Sequence, residues 1–273
     1  MKLCHFQPLE FAAATIGKDT REIHPAPRIG IVEGGSVSEI SGELRNAREG
    51  LERTGRSWPV AEVKFLPPSS PTKIVCVGRN YQEHAKELGN EAPKEPLIFL
   101  KPPSAVIAPE EPIVLTPLSE RVDFEGELAV VIGRRCRHLH ASDDVRPYIA
   151  GYTCLNDVTA RDLQKRDGQW TRGKGFDTFC PFGPILETDP PTPETTIETF
   201  VNGVRKQSGR VAEMIFPVDV IIRWIARVMT LEPGDVIATG TPSGVGPLVA
   251  GDVVEVSVSG IGTLRNPVAA PGE

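Results

Sequence analysis

Polar and apolar positions alternate, and then stop alternating, within residues 122–132 (VDFEGELAVVI). The first half places Asp123, Glu125 and Glu127 on one face of an extended strand, because successive side chains of a strand point to opposite faces. The second half is an uninterrupted apolar run, which is typical of a strand buried on both faces. The pattern predicts one strand that carries carboxylates at one end and anchors in the core at the other.

The rest of the pattern predicts many short strands and few helices. Residues 195–201 and 204–208 flank Asn202-Gly203 and predict a hairpin, and residues 28–40 predict another. The clearest helical pattern is Pro217–Met229, where apolar residues recur at helical spacing after a proline that suits the first turn. Shorter helices are predicted at residues 41–54, 82–88 and 159–166 and from Ser142.

A proline-rich segment, Pro67–Pro71, divides the chain. Such a segment is typical of a linker. We therefore predict a small N-terminal domain over residues 1–69 and a main domain over residues 70–273. The first contains no recognisable chemistry, and its expected role is packing, dimerisation or covering a pocket.

Composition narrows the class of protein. The chain has 273 residues with 26 glycines and 26 prolines, which favours turns and short strands over a helical bundle. The net charge of −6 argues against a nucleic-acid partner. Five scattered cysteines without a C-x-x-C pair fit a reducing compartment, and neither a signal peptide nor an apolar run of ~18 residues is evident. We expect a cytoplasmic protein without a membrane span.

Three acidic residues are candidates for a metal site. Glu125 and Glu127 are two residues apart on a strand, so their Cα atoms lie about 6.6 Å apart and both can reach one cation. Oxygen ligands of this kind suit Mg²⁺ or Mn²⁺. Asp157, which follows a predicted strand, would be a third ligand. The alternatives are a solvated strand face for the glutamates and a helix N-cap for Asp157.

Other polar residues also follow strands. His84 and Glu87 share a helical face and could act as a base and its orienting carboxylate, or form a partly exposed ion pair. Lys174 lies between two glycines and could stabilise an oxyanion, or be solvated. Thr241 lies in a glycine-rich loop and could present its hydroxyl to a carboxylate, or belong to a plain connection.

Seven strings of the sequence together resemble the fumarylacetoacetate hydrolase family. The first is V-G-R-N-Y-x-x-H-A-x-E, and the second is D-F-E-G-E-L-A-V-V-I-G. They lie, in order, at residues 77–87, 123–133, 151–164, 173–184, 201–203, 233–246 and 260–268. The likeness covers about residues 73–268 with matching spacings.

The resemblance implies a fold, an assembly and roles for nine residues. The family fold is α+β and mostly β, a mixed β-roll of packed sheets with few helices, and its members are usually homodimers. The matching positions are metal ligands at Glu125, Glu127 and Asp157, a catalytic dyad at His84 and Glu87, a catalytic lysine at Lys174, substrate or oxyanion contacts at Arg161 and Gln164, and a carboxylate-binding residue at Thr241.

One departure from the family pattern matters. Larger members carry an additional acidic ligand before the catalytic histidine, whereas residues 78–81 here read Gly-Arg-Asn-Tyr. The chain therefore resembles the smaller, three-carboxylate members. Those include acylpyruvate and diketo sugar-acid hydrolases, oxaloacetate decarboxylases and the isomerases of aromatic-acid degradation.

We predict a Mg²⁺- or Mn²⁺-dependent enzyme that cleaves a C–C bond of a small 2-oxo or 2,4-dioxo acid through an enolate. Decarboxylation of an oxaloacetate-type acid and isomerisation of 2-hydroxyhepta-2,4-diene-1,7-dioate remain alternatives. A catalytically silent dimeric binding protein is disfavoured, because the chain keeps His84, Glu87 and Lys174. A non-haem iron oxygenase is disfavoured because nothing pairs His138 or His140 with the glutamates.

Overall fold

The computed structural model describes residues 1–9, 12–16, 19–23, 26–42 and 50–271. The fold is α+β and mostly β, as predicted. The strands are β1 Lys2–Pro8, β2 Ala12–Ile16, β3 Asp19–Ile23, β4 Arg28–Glu33, β5 Ser36–Ser41, β6 Glu52–Pro59, β7 Val63–Leu66, β8 Ile74–Gly78, β9 Leu97–Lys101, β10 Val106–Ile107, β11 Ile113–Val114, β12 Val122–Phe124, β13 Gly126–Ile132, β14 Ile149–Asn156, β15 Thr159–Ala160, β16 Cys180–Glu187, β17 Thr196–Val201, β18 Val204–Arg210, β19 Val236–Ala238, β20 Gly246–Pro247, β21 Val253–Val258 and β22 Gly262–Ala269. The helices are α1 Gln82–Glu87, α2 Arg161–Asp167, α3 Thr171–Lys174 and α4 Val218–Val228.

The strands form one large sheet and three smaller ones. The large sheet has the order β6-β5-β4-β1-β16-β14-β13-β19-β8-β9, with β7 beside β1 and β10 beside β16. A second sheet has the order β11-β22-β21-β17-β18, a third has β15-β12-β20, and β2 pairs with β3. Helix α4 buries Ile221, Ile222 and Ile225 in the same core cluster as Leu128 and Ile132 of β13.

The central pair of antiparallel strands, β13 and β14, positions the candidate site. Both strands are buried along their whole length, because nearly all their side chains are apolar or small. Their register pairs Gly126 with Asn156. The residues that follow β14 therefore lie at the same end of the sheet as the residues that begin β13.

The prediction of a single strand over residues 122–132 is wrong, because the strand is interrupted at Glu125. Strand β12 belongs to the three-stranded sheet and β13 to the large sheet. The change of sheet is fixed by the backbone of Glu125, whose N–H donates to Asn156 Oδ1 and whose carbonyl accepts from Asp157 N. Gly126 follows directly, where a Cβ would lie 2.0 Å from Thr199 Oγ1.

Most of the other predicted elements are confirmed. Both hairpins form, as β4–β5 and β17–β18, and the predicted helices over 82–88 and 217–229 are α1 and α4. Helix α2 begins at Arg161 rather than at residue 159, because Thr159 and Ala160 pair with β12 instead.

Two helix predictions fail or lie outside the described residues. The helix from Ser142 is wrong: a 3-10 turn over Arg146–Tyr148 occurs instead, and Asp144 accepts hydrogen bonds from the backbone and guanidinium of Arg146. Of the helix over 41–54, residues 43–49 lie outside the described residues. Its last part is wrong, because residues 52–54 belong to β6, which pairs with β5.

The large sheet runs across the predicted domain boundary at residue 69. Strand β1 pairs with β4 and β7 on the N-terminal side of that boundary and with β16 on the other side. The division into 1–69 and 70–273 stays a prediction. Within the described residues, every helix is too short or too polar to cross a membrane.

Candidate active site

Three buried carboxylates meet at the open end of β13 and β14. Glu125 lies between β12 and β13, Glu127 is the second residue of β13, and Asp157 directly follows β14. One carboxylate oxygen from each lies within 4.8 Å of the others. The side chains predicted as metal ligands are therefore close together, and all three are almost completely buried.

Three buried cations surround these carboxylates. Lys174 Nζ donates to Glu125 Oε2 at 2.7 Å and to Asp157 Oδ2 at 2.6 Å. Lys101 Nζ donates to the other oxygen of Asp157, Oδ1, at 2.7 Å. Arg161 donates from Nη2 to Glu125 Oε1. Each of these lysine and arginine side chains is at most 3% exposed, so Glu125 and Asp157 are paired with buried positive charges.

The surroundings give the two glutamates opposite pKa shifts. Burial alone would raise the pKa of Glu125, but the charges of Lys174 and Arg161 outweigh it and lower that pKa. Burial raises the pKa of Glu127 well above its usual range, and the negative charges of Asp157 and Glu125 add to the effect. Burial would lower the pKa of Lys174, but Asp157 and Glu125 reverse this and raise it.

The donor set fits a hard divalent cation. Carboxylate oxygens are the ligands that Mg²⁺ and Mn²⁺ prefer, and three of them converge here. Glu127 differs from the other two carboxylates, because its Oε2 accepts from the backbone N–H of Gly240 and no ion pair to it forms within the described residues. A divalent cation held by Glu125, Glu127 and Asp157 would supply a positive charge beside it.

The predicted dyad lies on and beside α1. His84 is buried, and its Nδ1 lies 3.4 Å from Glu87 Oε2. Glu87 also accepts a hydrogen bond from the backbone N–H of Gly244, at 3.0 Å. Burial lowers the pKa of His84, and the nearby charge of Glu125 and the contact with Glu87 offset only part of this effect. The imidazole is therefore neutral at pH 7.

The two remaining predicted residues make contacts of their own. Thr241 Oγ1 donates to the carbonyl of Gly126 and accepts from Gln207 Nε2, which ties the loop after β19 to the start of β13. Gln164 Oε1 accepts from Arg161 Nη1. Substrate contacts of Thr241 and Gln164 stay predictions.

One cavity of about 330 Å³ brings these groups together. Phe99, Leu88 and Trp170 contribute apolar surface to its wall, and Glu87 reaches it only through His84. The predicted site residues that line it are His84, Glu125, Glu127, Asp157, Arg161, Gln164, Lys174 and Thr241.

Several residues of the site were not predicted. Lys101 is the one buried residue of strand β9, and the signal that could have identified it is a lysine that ends an apolar run directly before Pro102. Asp123, which the alternating pattern placed on the same face as the glutamates, accepts from Arg161 Nε at 2.9 Å. Asn156 and Gln207 hold the backbone of residues 125 and 126, and sequence alone gives no signal for contacts over such separations.

The sequence matches two known families. Residues 73–269 match the family described as fumarylacetoacetate (FAA) hydrolase, C-terminal, and residues 24–68 match the one described as Rv2993c-like, N-terminal. Protein Rv2993c of Mycobacterium tuberculosis is 49% identical over 90% of this chain and 98% of its own length.

Relatives with a named activity are also similar. Human mitochondrial oxaloacetate tautomerase FAHD2A is 44% identical over 82% of this chain and 76% of its own length. A crystal structure of 2-hydroxyhepta-2,4-diene-1,7-dioate isomerase from Mycobacterium marinum is 43% identical, covers the whole of both chains and superimposes with a TM-score of 0.84. The chain is therefore an enzyme that belongs to the fumarylacetoacetate hydrolase family.

Proposed function

We propose that this enzyme binds a small 2-oxo acid next to Mg²⁺ or Mn²⁺ and interconverts its keto and enol forms. The observation that carries the proposal is the cavity itself. It combines three buried carboxylates that fit one cation with a buried, neutral imidazole. The names of the human tautomerase and the mycobacterial isomerase agree with a proton-transfer reaction of this kind.

The cation site defines where the substrate binds. Glu125, Glu127 and Asp157 would hold the ion, and Lys101 and Arg161 fix two of these carboxylates in place. When bound, a divalent ion supplies Lewis-acid stabilisation of negative charge on the 2-oxo oxygen. Lys174, which is held between Glu125 and Asp157, adds a positive charge on the same side of the cavity.

His84 carries the proton. Its Nδ1 faces Glu87, so Nε2 is the nitrogen left for the substrate. Nε2 takes a proton from C3, the C3–H electron pair becomes the C2–C3 double bond, and the carbonyl electron pair moves to the 2-oxo oxygen. Return of that proton to the oxygen completes the enol, and the reverse sequence restores the ketone. A neutral imidazole is the form that this first step requires.

C–C hydrolysis of a 2,4-dioxo acid is the second candidate, and the anchoring of the dyad favours it. Glu87 contacts both His84 and the backbone of Gly244, so the imidazole can be held in one orientation to activate a water. A water molecule would give one proton to His84, and its oxygen would add to C4 as hydroxide. Cleavage of the C3–C4 bond would then leave a carboxylic acid and the enolate of pyruvate, which His84 reprotonates at C3.

One experiment separates the two reactions. Oxaloacetate and acetylpyruvate are incubated with the protein and Mn²⁺ or Mg²⁺, with metal-only and chelator-treated controls. Enol absorbance, exchange of C3 protons for deuterium and pyruvate release are followed. We expect metal-dependent acceleration of enol–keto conversion and of C3 exchange with oxaloacetate, and no acceleration of acetate and pyruvate formation from acetylpyruvate.

The His84→Gln variant completes this experiment, because glutamine keeps hydrogen-bonding capacity but cannot act as a base. We expect it to lose at least about 100-fold in exchange rate, the low end of general-base contributions. Acetate and pyruvate release that requires the metal would favour the hydrolase. Full exchange activity in a metal-stripped sample would contradict both reactions.

A further inference from the structure

Arg79 lies in the turn that follows β8 and lines the same cavity as the three carboxylates. Its backbone has a φ of +58°, in the left-handed region that few residues other than glycine adopt. The side chain is neither buried nor fully exposed. A residue held in this conformation persists only where its surroundings determine it, and such residues cluster at ligand-binding sites.

The turn around Arg79 is fixed on both sides. Asn80 is fully buried, and its side chain donates to the carbonyls of Phe216 and Thr239 and accepts from the N–H of Phe216. On the other side, Gly78 packs against the ring of Trp170, which a Cβ at residue 78 would approach to 2.7 Å. The backbone that presents Arg79 is therefore held in place before any ligand arrives.

The guanidinium of Arg79 is held over an aromatic ring. Its Cζ lies 5.8 Å from the centroid of Trp170, which also packs edge-on against Phe99. This contact orients the arginine without neutralising its charge. Within the described part of the chain the guanidinium forms no hydrogen bond or ion pair, so its N–H groups are free to bind a ligand in the cavity.

The cations that line the cavity fall into two pairs. Arg161 and Lys174 each bridge two carboxylates. Arg79 and Lys165 form no ion pair within the parts of the chain that the structure describes. The acids of the lining all belong to the metal cluster, namely Glu125, Glu127 and Asp157. Arg79 and Lys165 therefore bring to the cavity two positive charges that are not paired with a described acid.

We propose that Arg79 binds a second anionic group of the substrate, remote from the 2-oxo acid end, so that the enzyme selects dicarboxylates. The proposal rests on the proposed function, because the cation site defines the other end of the substrate. Lys165, an exposed residue that lines the same cavity, adds to the positive charge there. Arginine suits this role because its planar fork can donate two parallel hydrogen bonds to one carboxylate.

A binding experiment tests this without turnover. Malate has two carboxylates and its 4-methyl ester has one, and neither has a 2-oxo group to enolise. Calorimetry with Mg²⁺ present measures the affinity of the protein for both. We expect malate to bind at least about 10-fold more tightly than its ester, and Arg79→Met to remove most of this preference by weakening malate binding alone. Arg79→Lys should retain part of it.

A matched kinetic experiment uses oxaloacetate and its 4-methyl ester. Arg79→Met should raise KM for oxaloacetate about 10-fold or more, and leave kcat and the KM for the ester within about threefold. Arg146→Met is the control, because Arg146 is exposed, pairs with Asp144 and does not line the cavity. Far-UV circular dichroism and the thermal midpoint verify that each variant folds.

Two results would overturn the proposal. One is an unaltered protein that binds malate and its ester equally well. The other is an Arg79→Met variant that weakens both ligands by the same factor, which a structural role would produce. A third result separates this inference from the proposed function. If the unaltered protein shows no turnover but prefers malate to its ester in a way that depends on Arg79, the keto–enol function is contradicted and the role of Arg79 is supported.

Discussion

Asp157 is the residue on which two buried lysines converge. Lys101 donates to Oδ1 and Lys174 to Oδ2, and neither lysine has appreciable contact with solvent. A cation that binds Oδ2 would compete with Lys174 but leave the bond from Lys101 in place. Lys101 is therefore a positioning residue, which holds Asp157 in one orientation whether or not the cation is bound.

Substituting Lys101 by methionine tests this role, because methionine keeps most of the volume and removes the charge. Without metal, the variant removes one of the two buried cations that pair with Asp157. We therefore expect the free energy of unfolding to fall by about 3–5 kcal/mol. Mn²⁺ should restore part of that loss, since it supplies the missing charge. Denaturant unfolding with and without Mn²⁺ measures both effects.

Lys64→Met is the matched control for Lys101. Lys64 pairs with Glu111 at the surface, with 44% and 38% of the two side chains exposed. Such pairs contribute at most about 1 kcal/mol, so this variant should change little. An unchanged metal-free stability in Lys101→Met would contradict the positioning role.

The protonation of His84 is expected to determine how kcat/KM depends on pH. Burial lowers its pKa below the usual 6.5, so the neutral base is fully present above that pH. We expect kcat/KM to be level from about pH 7 upward and to fall about tenfold per pH unit below the pKa of His84, as the imidazole takes up a proton. A bound divalent cation would push the pKa in the same direction. An acid limb with its midpoint above pH 6.5 would contradict this assignment.

Glu87→Gln sharpens the pH test. Glu87 raises the pKa of His84, so its removal should move the acid limb to lower pH and reduce the maximal rate by about 10-fold as the ring loses its orientation. Glu83→Gln is the control on the same helix, because Glu83 is exposed and pairs only with Lys86. Its profile should match that of the unaltered protein.

At the residue scale, the sequence predicted side chains that the structure brings to one cavity, and it did not predict those that hold them in position. His84, Glu125 and Asp157 could be predicted because a family pattern fixes their spacing. Lys101 could not, since its partner lies 56 residues away and only the register of the sheets joins them. Long-range partners of this kind follow from the tertiary fold.

The junction between β12 and β13 is the element on which the site depends. Two strands from different sheets meet at Glu125 and Gly126, so the backbone direction changes between two candidate ligands. Gly126 passes within contact distance of β17, where Thr199 Oγ1 is buried and has no hydrogen-bond partner in the described part of the chain. Close approach here requires the absence of a side chain.

Gly126→Ala is expected to disturb this junction. The new Cβ would lie 2.0 Å from Thr199 Oγ1, so β13 or β17 must move, at a cost of about 1–3 kcal/mol in stability. Because Glu125 and Glu127 flank the substitution, we also expect metal affinity to fall. Urea unfolding and Mn²⁺ titration measure the two effects.

The double variant Gly126→Ala/Thr199→Ala isolates the cause. Removing the hydroxyl opens the space that the added methyl group needs, so most of the lost stability and metal affinity should return. Thr199→Ala alone should have a small effect, because its hydroxyl has no partner among the described residues. If the stability changes of the two single variants simply add up in the double variant, contact with Thr199 is not the cause of the loss in Gly126→Ala.

The junction also explains which elements the sequence could predict. Hydrophobic alternation predicted polar and apolar halves of residues 122–132, and both halves are extended. It could not predict the change of sheet, because a strand has the same period in either sheet. The failed helix at Ser142 has a similar origin: its acids bond locally to Arg146 and the backbone of His140 instead of capping a helix.

On the scale of the whole molecule, the N-terminal strands and the catalytic strands share one sheet. Strand β1 inserts between β4 and β16, and its Phe6 and Cys4 belong to the same core cluster as Leu128 and Val130 of β13. The linker composition of Pro67–Pro71 could predict a domain boundary. It could not predict that β1 pairs with β16, because pairing between distant strands leaves no local signal in the sequence. The boundary at residue 69 and the homodimer remain predictions.

Phe6→Ala tests whether the N-terminal segment unfolds together with the catalytic part. Phe6 is fully buried and packs 5.4 Å from the ring centroid of Trp58, so its truncation should cost about 3–5 kcal/mol. Because Phe6 lies in the core that contains β13, we expect one unfolding transition that shifts as a whole. Leu9→Ala, at a side chain that is 45% exposed, is the control and should shift it by less than about 0.5 kcal/mol.

Three probes in urea decide between one unit and two. Tryptophan fluorescence reports Trp58 of β6 once Trp170 and Trp224 are replaced by phenylalanine, far-UV circular dichroism reports the whole sheet, and Mn²⁺ binding reports the carboxylate cluster. If the shared sheet makes a single cooperative unit, Phe6→Ala lowers the midpoint of all three by the same amount. If the fluorescence midpoint falls while metal binding persists to the original urea concentration, the N-terminal segment unfolds independently. The boundary at residue 69 would then separate two stability units despite the hydrogen bonds that cross it.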